Sequence, residues 1–344
     1  MTALRVDEVG PATSVQDRGR FGAQRFGLGT AGAMDRFGLA SATVLAGLPA
    51  DAPAIELGPF GARFTALDGP VRVALAGASR GATAAGRSFA AGETALLQPG
   101  EVLALRAAKG GVFSYLAVEG GIAGEPSFGS MAVHARAGLG SPVPRPLQAG
   151  DVLPVGDAAT GAPERSLPAT RLAEGPIRVV LGPQDDYFDA DAIATFLAAE
   201  WRISMTSDRM GFRLEGPRIP HARGFNIVSD GIANGHVQIP GNGQPLVLLA
   251  DRGTTGGYPK IACIISADLG RFAQIPAGST LRFARVGMAE AQAEARRLAA
   301  AIAALPGSVR AVLGGSAEAL LSANLAGHAV SATDPASWLD TAAT

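Results

Sequence analysis

The spacing of glycine and proline limits this chain more than any other feature. There are 46 glycines and 23 prolines in 344 residues, about a fifth of the chain, where ordinary usage is near 12%. They are spread along its length and cut the apolar sequence into short runs. A helix interior loses roughly 1 kcal/mol for each glycine and about 3 kcal/mol for each proline. Short strands joined by turns tolerate both, because turns use them. The rhythm therefore predicts a mainly β chain with few helices. Strand candidates are 72–76, 94–98, 102–107, 113–118, 178–181, 238–240, 246–250, 261–266 and 280–284, each apolar or alternating and bounded by Gly, Pro or Asp. They do not alternate with helices of ten or more residues, so barrels or sandwiches fit better than a parallel, doubly wound sheet.

Three helices are predicted. Asp35 can cap 36–46, with Gly47 and Pro49 as the stop. Asp189 can cap 190–201, and an alanine-rich stripe runs over 288–305 to Pro306 and Gly307. The polar stretch DAATGAPERSLPATRLAEGP (157–176) reads as a linker. The expected division is a first domain over 1–172, a second over 173–286, and a helix with a tail over 287–344. A further helix could lie near Glu318–Leu325.

A formal net charge of −1 and the absence of any Lys/Arg cluster give no footprint for nucleic acid or an anionic membrane. No apolar run approaches the roughly 18–20 residues of a membrane helix. The N-terminal sequence lacks the apolar core of a signal peptide, so a cytoplasmic protein is expected. A single cysteine, Cys263, excludes an internal disulfide and a cysteine metal cluster; inside IACIISA it reads as a small buried hydrophobe. The four histidines, 134, 221, 236 and 328, show no metal-ligand spacing, and no metal is expected.

Chemistry concentrates in LLADRGTTGGYPKI, 248–261. A strand stops at Asp251, followed by Thr254, Thr255, Gly256, Gly257, Tyr258 and Lys260. Lys260 is one of only two lysines in the chain. Hydroxyls, main-chain N–H groups and an ammonium close together can receive an anion or an oxyanion, and the two glycines can take positive φ. The spacing is not that of a nucleotide-binding P-loop. The alternative is a structural Gly-Gly turn beside a solvated lysine. A second cluster, SDRMGFRLEGP, holds Asp208, Arg209 and Arg213. An arginine pair can grip a carboxylate or phosphate, and the alternative is a hairpin with surface ion pairs. In the first half, TSVQDRGRFG supplies Gln16, Asp17 and Arg20, and GTAGAMD supplies Met34 and Asp35. They form either a second wall or interface, or a capped helix behind a turn-rich loop.

These stretches, with FSYLAVEGGI, GPQDDYF, GHVQIPGNGQPLVLLADRGTTGGYPKI and ADLGRFAQIPAG, resemble the biotin-dependent carboxyltransferase family, also called allophanate hydrolase subunit 2-like or KipA-like, and within it the 5-oxoprolinase branch. They run in family order over most of the chain. The resemblance implies two cyclophilin-like β-barrel domains. It implies one subunit of an ATP-dependent enzyme that opens 5-oxo-L-proline to L-glutamate, working with a subunit 1-like (KipI-like) protein and a LamB/YcsF-like subunit, and inactive alone. Which subunit binds ATP is left open. Two other readings stay open: a carboxyltransferase acting on urea or another small amide, with carboxybiotin carried on another chain, and a KipA-like regulatory binder. The roles expected under the first reading are Asp251 as proton acceptor, Thr254 and Thr255 as oxyanion donors, and Lys260 and Arg209 as cations for carboxylate or phosphate. Gln238 and Tyr258 would line the pocket. The sequence departs from the family at Met131, Ala132 and Val133, where polar residues are usual, at His236, where a small residue is usual, and at Gly253, which replaces a common Gln.

Overall fold

The computed structural model describes residues 2–156, 158–159, 161–168 and 174–312. The chain is mainly β, as the glycine and proline rhythm predicts, and builds two barrel-like sheets. The spine of the first, eleven-stranded sheet is the antiparallel pair Val71–Ala84 and Val102–Val118. Glu93–Leu97 flanks it on one side, and Ala62–Leu67, Ala3–Val9 and Val152–Pro154 extend the other. In the second, eight-stranded sheet, Lys260–Ile264 lies between Ile177–Leu181 and His236–Gln238. Leu246–Leu248 and Gly211–Glu215 continue it outward. A separate two-stranded ribbon pairs Asp230–Gly231 with Thr255–Gly256.

Over 71–76 and 114–118 the spine of the first sheet is buried on both faces, and alternation sorts its residues. Val71, Val73, Leu75, Leu116 and Val118 point into the first barrel. Ala74, Ala76, Tyr115 and Ala117 point the other way, into an apolar cluster shared with the second domain. That outward row is small apart from Tyr115, so helix α1 (Arg36–Leu45) can lie directly on it. Gly38 allows the closest approach: a Cβ there would sit 2.9 Å from the Tyr115 ring. Leu39 and Leu45 of α1 enter the same cluster as Phe196, Trp201, Phe212 and Phe272 of the second domain. The two domains therefore share one core, with α1 at the seam.

Asp35 caps α1 by accepting from Phe37 N and Gly38 N, and Asp189 caps α2 (Ala190–Ala198) by accepting from Ala192 N, both as expected. Helix α2 stops earlier than its apolar pattern suggests. Trp201 instead opens the strand Trp201–Ile203, buries its ring against Phe196, and donates Nε1–H to the Phe196 carbonyl at 3.0 Å. Helix α3 (Leu269–Ala273) is too short to leave a periodic signal; α4 (Met288–Ala304) matches its stripe. The runs 102–107 and 113–118 form one strand, because the continuous partner Val71–Ala84 carries the ladder past Gly110 and Gly111 with two register shifts. The stretch read as a linker contains the strand Glu164–Ser166, which pairs with both Glu93–Leu97 and Arg310–Val312. The chain after α4 thus returns to the first sheet. The proposed 172/173 boundary and the helix near Glu318–Leu325 lie outside the described residues. No helix among the described residues is long and apolar enough to cross a membrane.

Leu39 is buried where α1 meets the shared core. Leu39→Ala should lower the unfolding free energy by about 2–5 kcal/mol, the range for leucine truncation in a packed core. Urea denaturation would measure it, and a loss below about 1 kcal/mol would show that the seam is not packed as described.

Candidate functional site

Lys260 opens the strand Lys260–Ile264 and is wholly buried. Its Nζ donates to Asp230 Oδ2 at 2.8 Å. Asp230 comes from the facing ribbon strand, and its side chain is 53% exposed. It also accepts from Gln184 Nε2 at 3.2 Å and from Gly231 N at 2.7 Å. The bond from Lys260, then those from Gly231 and Gln184, hold the Asp230 carboxyl below its ordinary pKa. The result is a buried ammonium with an ionised, solvent-facing carboxylate, roofed by the ribbon. Thr255 and Gly256 form the other ribbon strand, paired with Gly231 and Asp230. Thr255 is exposed and Thr254 half-buried, and neither hydroxyl bonds to another group among the described residues. Gln238 is buried below and donates to the Tyr258 carbonyl at 3.4 Å, while the Tyr258 ring is partly exposed. Lys260, Asp230, Thr254, Thr255, Gln238, Gly256, Gly257 and Tyr258 thus share one neighbourhood.

The two glycines serve a different purpose from the expected one. Neither takes positive φ. Gly256 lets the Gln238 amide lie close against the ribbon: a Cβ there would lie 2.5 Å from Gln238 Nε2 and displace the end of that side chain.

Arg209 and Asp251 do not join Lys260, and the single cavity expected from sequence separates into two places. Arg209 donates from Nε and Nη2 to the two oxygens of Asp251 at 2.9 and 3.0 Å. Its Nη1 bonds to Glu56 Oε1 of the first domain, and Nη2 also reaches the Gly32 carbonyl at 2.8 Å. Glu56 accepts in addition from Met34 N and Tyr115 Oη–H, both at 2.8 Å. Tyr115 Oη in turn accepts from Asp35 N at 2.7 Å, and Asp35 Oδ2 accepts from Gln274 Nε2 at 2.9 Å. This network crosses the seam and is almost wholly buried. Burial opposes the charge on Arg209, but Glu56 and Asp251 outweigh it and hold the guanidinium charged. Burial raises the Glu56 pKa, with Arg209 pulling it back. With its donors engaged by two carboxylates and a carbonyl, Arg209 cannot also grip a ligand carboxylate, and Asp251 is held as its partner. Met34 enters the network through its main-chain N–H.

The remaining expected residues are structural in their contacts. Asp208 caps its own turn, accepting from Met210 N and Gly211 N, while Arg213 is exposed. Gln16 bonds to Ser14 and the Val133 carbonyl and accepts from Gly32 N. Asp17 accepts from Gly19 N, Ser130 Oγ–H and Met131 N, each at 2.7 Å. Arg20 Nη2 bonds to the Ala132 carbonyl, while its Nε and Nη1 are buried without hydrogen-bond partners among the described residues. Each of these bonds to Met131, Ala132 and Val133 is to a main-chain atom, and their side chains are buried. This is why apolar residues can stand in that stretch without loosening it.

Sequence reasoning missed Asp230, Gln184, Glu56 and Tyr115. Glu56 had a usable signal, since a carboxylate between Ile55 and Leu57 in a short apolar run must find a buried partner. Asp230 had none, because nothing near it is periodic.

Arg209→Met would leave Glu56 and Asp251 facing each other without a cation. Losing one partner of a buried pair costs about 3–5 kcal/mol, so chemical denaturation should show a loss of that size. The double variant Arg209→Met, Glu56→Gln should recover part of it. His236 stands in the field of Lys260 and Arg252. Burial first, then those two charges, push its pKa down to about 4 from an ordinary 6.5. On acidification the unfolded chain therefore binds a proton before the folded one does. The stability His236 contributes is complete above pH 6.5 and is lost as pH falls toward 4. His236→Asn should flatten that part of the stability–pH curve, and an unchanged slope would refute the assignment.

Known proteins share both this fold and much of this sequence. The chain is 38% identical over 290 residues to the C-subunit of 5-oxoprolinase from Escherichia coli (strain K12), covering 84% of this chain and 93% of that protein. It is 34% identical over 288 residues to the 5-oxoprolinase C-subunit of Haemophilus influenzae, covering 83% of this chain and 91% of that one. The crystal structure of Kluyveromyces lactis urea carboxylase superposes with a TM-score of 0.80 at 25% identity, over 90% of this chain and 30% of that one. The family model for the carboxyltransferase domain, subdomain A and B, matches residues 26–285, and the chain belongs to that family.

Proposed function

We propose that the chain is the C-subunit of a bacterial ATP-dependent 5-oxoprolinase. It would open 5-oxo-L-proline to L-glutamate together with a subunit 1-like protein and a LamB/YcsF-like subunit, and be inactive alone. The observation that carries this reading is the 38% identity to the E. coli protein across 84% of this chain and 93% of that one.

The ribbon site has groups suited to the chemistry. A lactam is resonance-stabilised, so water adds only once the carbonyl oxygen is made a better leaving group, and ATP supplies that by phosphorylation in the complex. Water then adds to the O-phosphorylated carbon and the C–N bond breaks with a proton passing to nitrogen; the γ-glutamyl phosphate so formed takes up a second water, which places negative charge on the acyl oxygen before inorganic phosphate leaves and glutamate is released. In this reading the hydroxyls of Thr254 and Thr255 donate to that oxygen. Lys260 supplies a fixed positive charge from a buried position, where such a charge acts more strongly than in water. The half-exposed Asp230 carboxylate orients the attacking water, taking over the role expected of Asp251. Gln238 and Tyr258 line the approach. A second reading, carboxyl transfer to a small amide, has support in the likeness to urea carboxylase; the same donors would stabilise the oxyanion there.

The test combines the purified chain with its subunit 1-like and LamB/YcsF-like partners, ATP and 5-oxoproline, and measures glutamate. Activity should require all three proteins. Lys260→Met should reduce it by about 10²-fold or more, the usual cost of losing one oxyanion-stabilising group, with circular dichroism unchanged. A complex that makes no glutamate but transfers carboxyl from a carboxybiotin carrier to urea would favour the second reading.

A further inference from the structure

A cleft of about 460 Å³ opens along the seam, away from the roofed Lys260. Its walls are Thr30–Phe37 of the first domain, Asn234, Arg252 and Ser266–Arg271 of the second, and one face of α4. Arginine dominates the lining. Arg178 and Arg271 pair with Asp268, Arg297 pairs with Glu294, and Asp35 is occupied in capping α1. Arg36 and Arg252 also line the cleft, and neither has a carboxylate partner among the described residues.

Arg252 is the buried arginine of the lining, 4% exposed. Arg80, elsewhere in the fold, is likewise buried on neutral acceptors, but through bonds of 2.8–3.1 Å from all three of its nitrogens. A buried guanidinium ordinarily has an acid beside it, as Arg209 has two. Arg252 has only neutral acceptors, at long distances. Its Nε reaches the Ile232 carbonyl at 3.3 Å, and Nη1 reaches the Leu249 carbonyl at 3.4 Å and Thr30 Oγ1 at 3.2 Å. Its Nη2 bonds to none of the described residues. Burial lowers its pKa, and only the Cys263 thiol opposes the shift. The Asn234 Oδ1 is buried with no hydrogen-bond partner among the described residues, and Asn234 lines the same cleft. A buried cation without an anion and an acceptor without a donor among the described residues, on the walls of one cleft, are the complement of a ligand carrying both.

We propose that the seam cleft binds a small ligand bearing a carboxylate or phosphoryl group, with Arg252 as the buried cation for that group and Asn234 as acceptor for an adjacent N–H or O–H. Nη2, the guanidinium nitrogen with no bond to the described residues, would donate to that oxyanion. Because Arg252 also holds Thr30 across the seam, an occupied cleft ties the two domains more tightly. The inference rests on the cleft and not on the hydrolase reading.

The test is calorimetric titration of the full chain with 5-oxo-L-proline, L-glutamate, inorganic phosphate and ATP in turn. At least one should bind with 1:1 stoichiometry, and comparison of the two carboxylates with the two phosphates identifies the group recognised. Arg252→Gln should weaken binding at least tenfold. Because Arg252→Gln could also disturb folding, Ser266→Glu supplies the second variant. Ser266 is exposed at the cleft wall, so an acid there adds repulsion without altering the core. It should weaken binding at least tenfold with an unchanged melting temperature. Saturable binding by none of the four ligands, or binding that Ser266→Glu leaves intact, would overturn the proposal. Glutamate production by the reconstituted complex is a separate readout: an inactive complex with binding intact counts against the hydrolase reading and leaves the cleft site standing.

Discussion

One buried ion cluster sets the relation between the two halves of this protein. Arg209 leaves the second domain and enters a socket made by Glu56, Tyr115 and the Gly32 carbonyl of the first, with Asp251 closing on its other edge. Two unit charges 4 Å apart attract by about 4 kcal/mol at an effective dielectric near 20. Desolvation removes several kcal/mol per ion, so the net stabilisation is small. What the cluster supplies is position. Hydrophobic burial in the shared core is non-directional and would accept several docking angles. A bidentate guanidinium between two carboxylates accepts very few.

That fixed angle has consequences on both sides of the seam. It holds the segment from Thr30 to Phe37 against Arg252 and the Ser266–Arg271 turn, and so gives the arginine-lined cleft its shape. It also explains why Arg209 and Asp251 are unsuited to bind a ligand. A guanidinium that holds Asp251 at 2.9 and 3.0 Å and Glu56 on its remaining nitrogen has little left to offer. Two buried cations beside the candidate sites differ from it: Lys260, which has one carboxylate partner facing solvent, and Arg252, which has none among the described residues. They occupy different environments: Lys260 sits under a ribbon of two short strands, Arg252 at the junction of two domains.

Much of the fold could be read from the chain because its signals are local. Turn residues end strands through their own backbone preferences. Asp35 and Asp189 cap helices through atoms two or three residues away. Where the reading went wrong, a distant partner had intervened. Val102–Val118 runs through two glycines because Val71–Ala84 lies alongside it. Helix α2 ends early because Trp201 gains more from packing against Phe196 than from another helical turn. The strand Glu164–Ser166 exists inside a polar, turn-rich stretch because two other strands flank it.

The candidate site divides in the same way. Sequence alone determined that a strand would end near Asp251, that Thr254, Thr255, Tyr258 and Lys260 would follow within one loop, and that two glycines there would permit close approach. These follow from residue type and order. Only the tertiary structure decided that Lys260 faces Asp230, that Asp251 belongs to Arg209, and that Arg252 meets no acid among the described residues. The reason is physical: an ion pair is chosen by proximity in three dimensions. Asp230 and Glu56 lie 30 and 153 positions from the cations they meet, a separation across which neither propensity nor periodicity carries information.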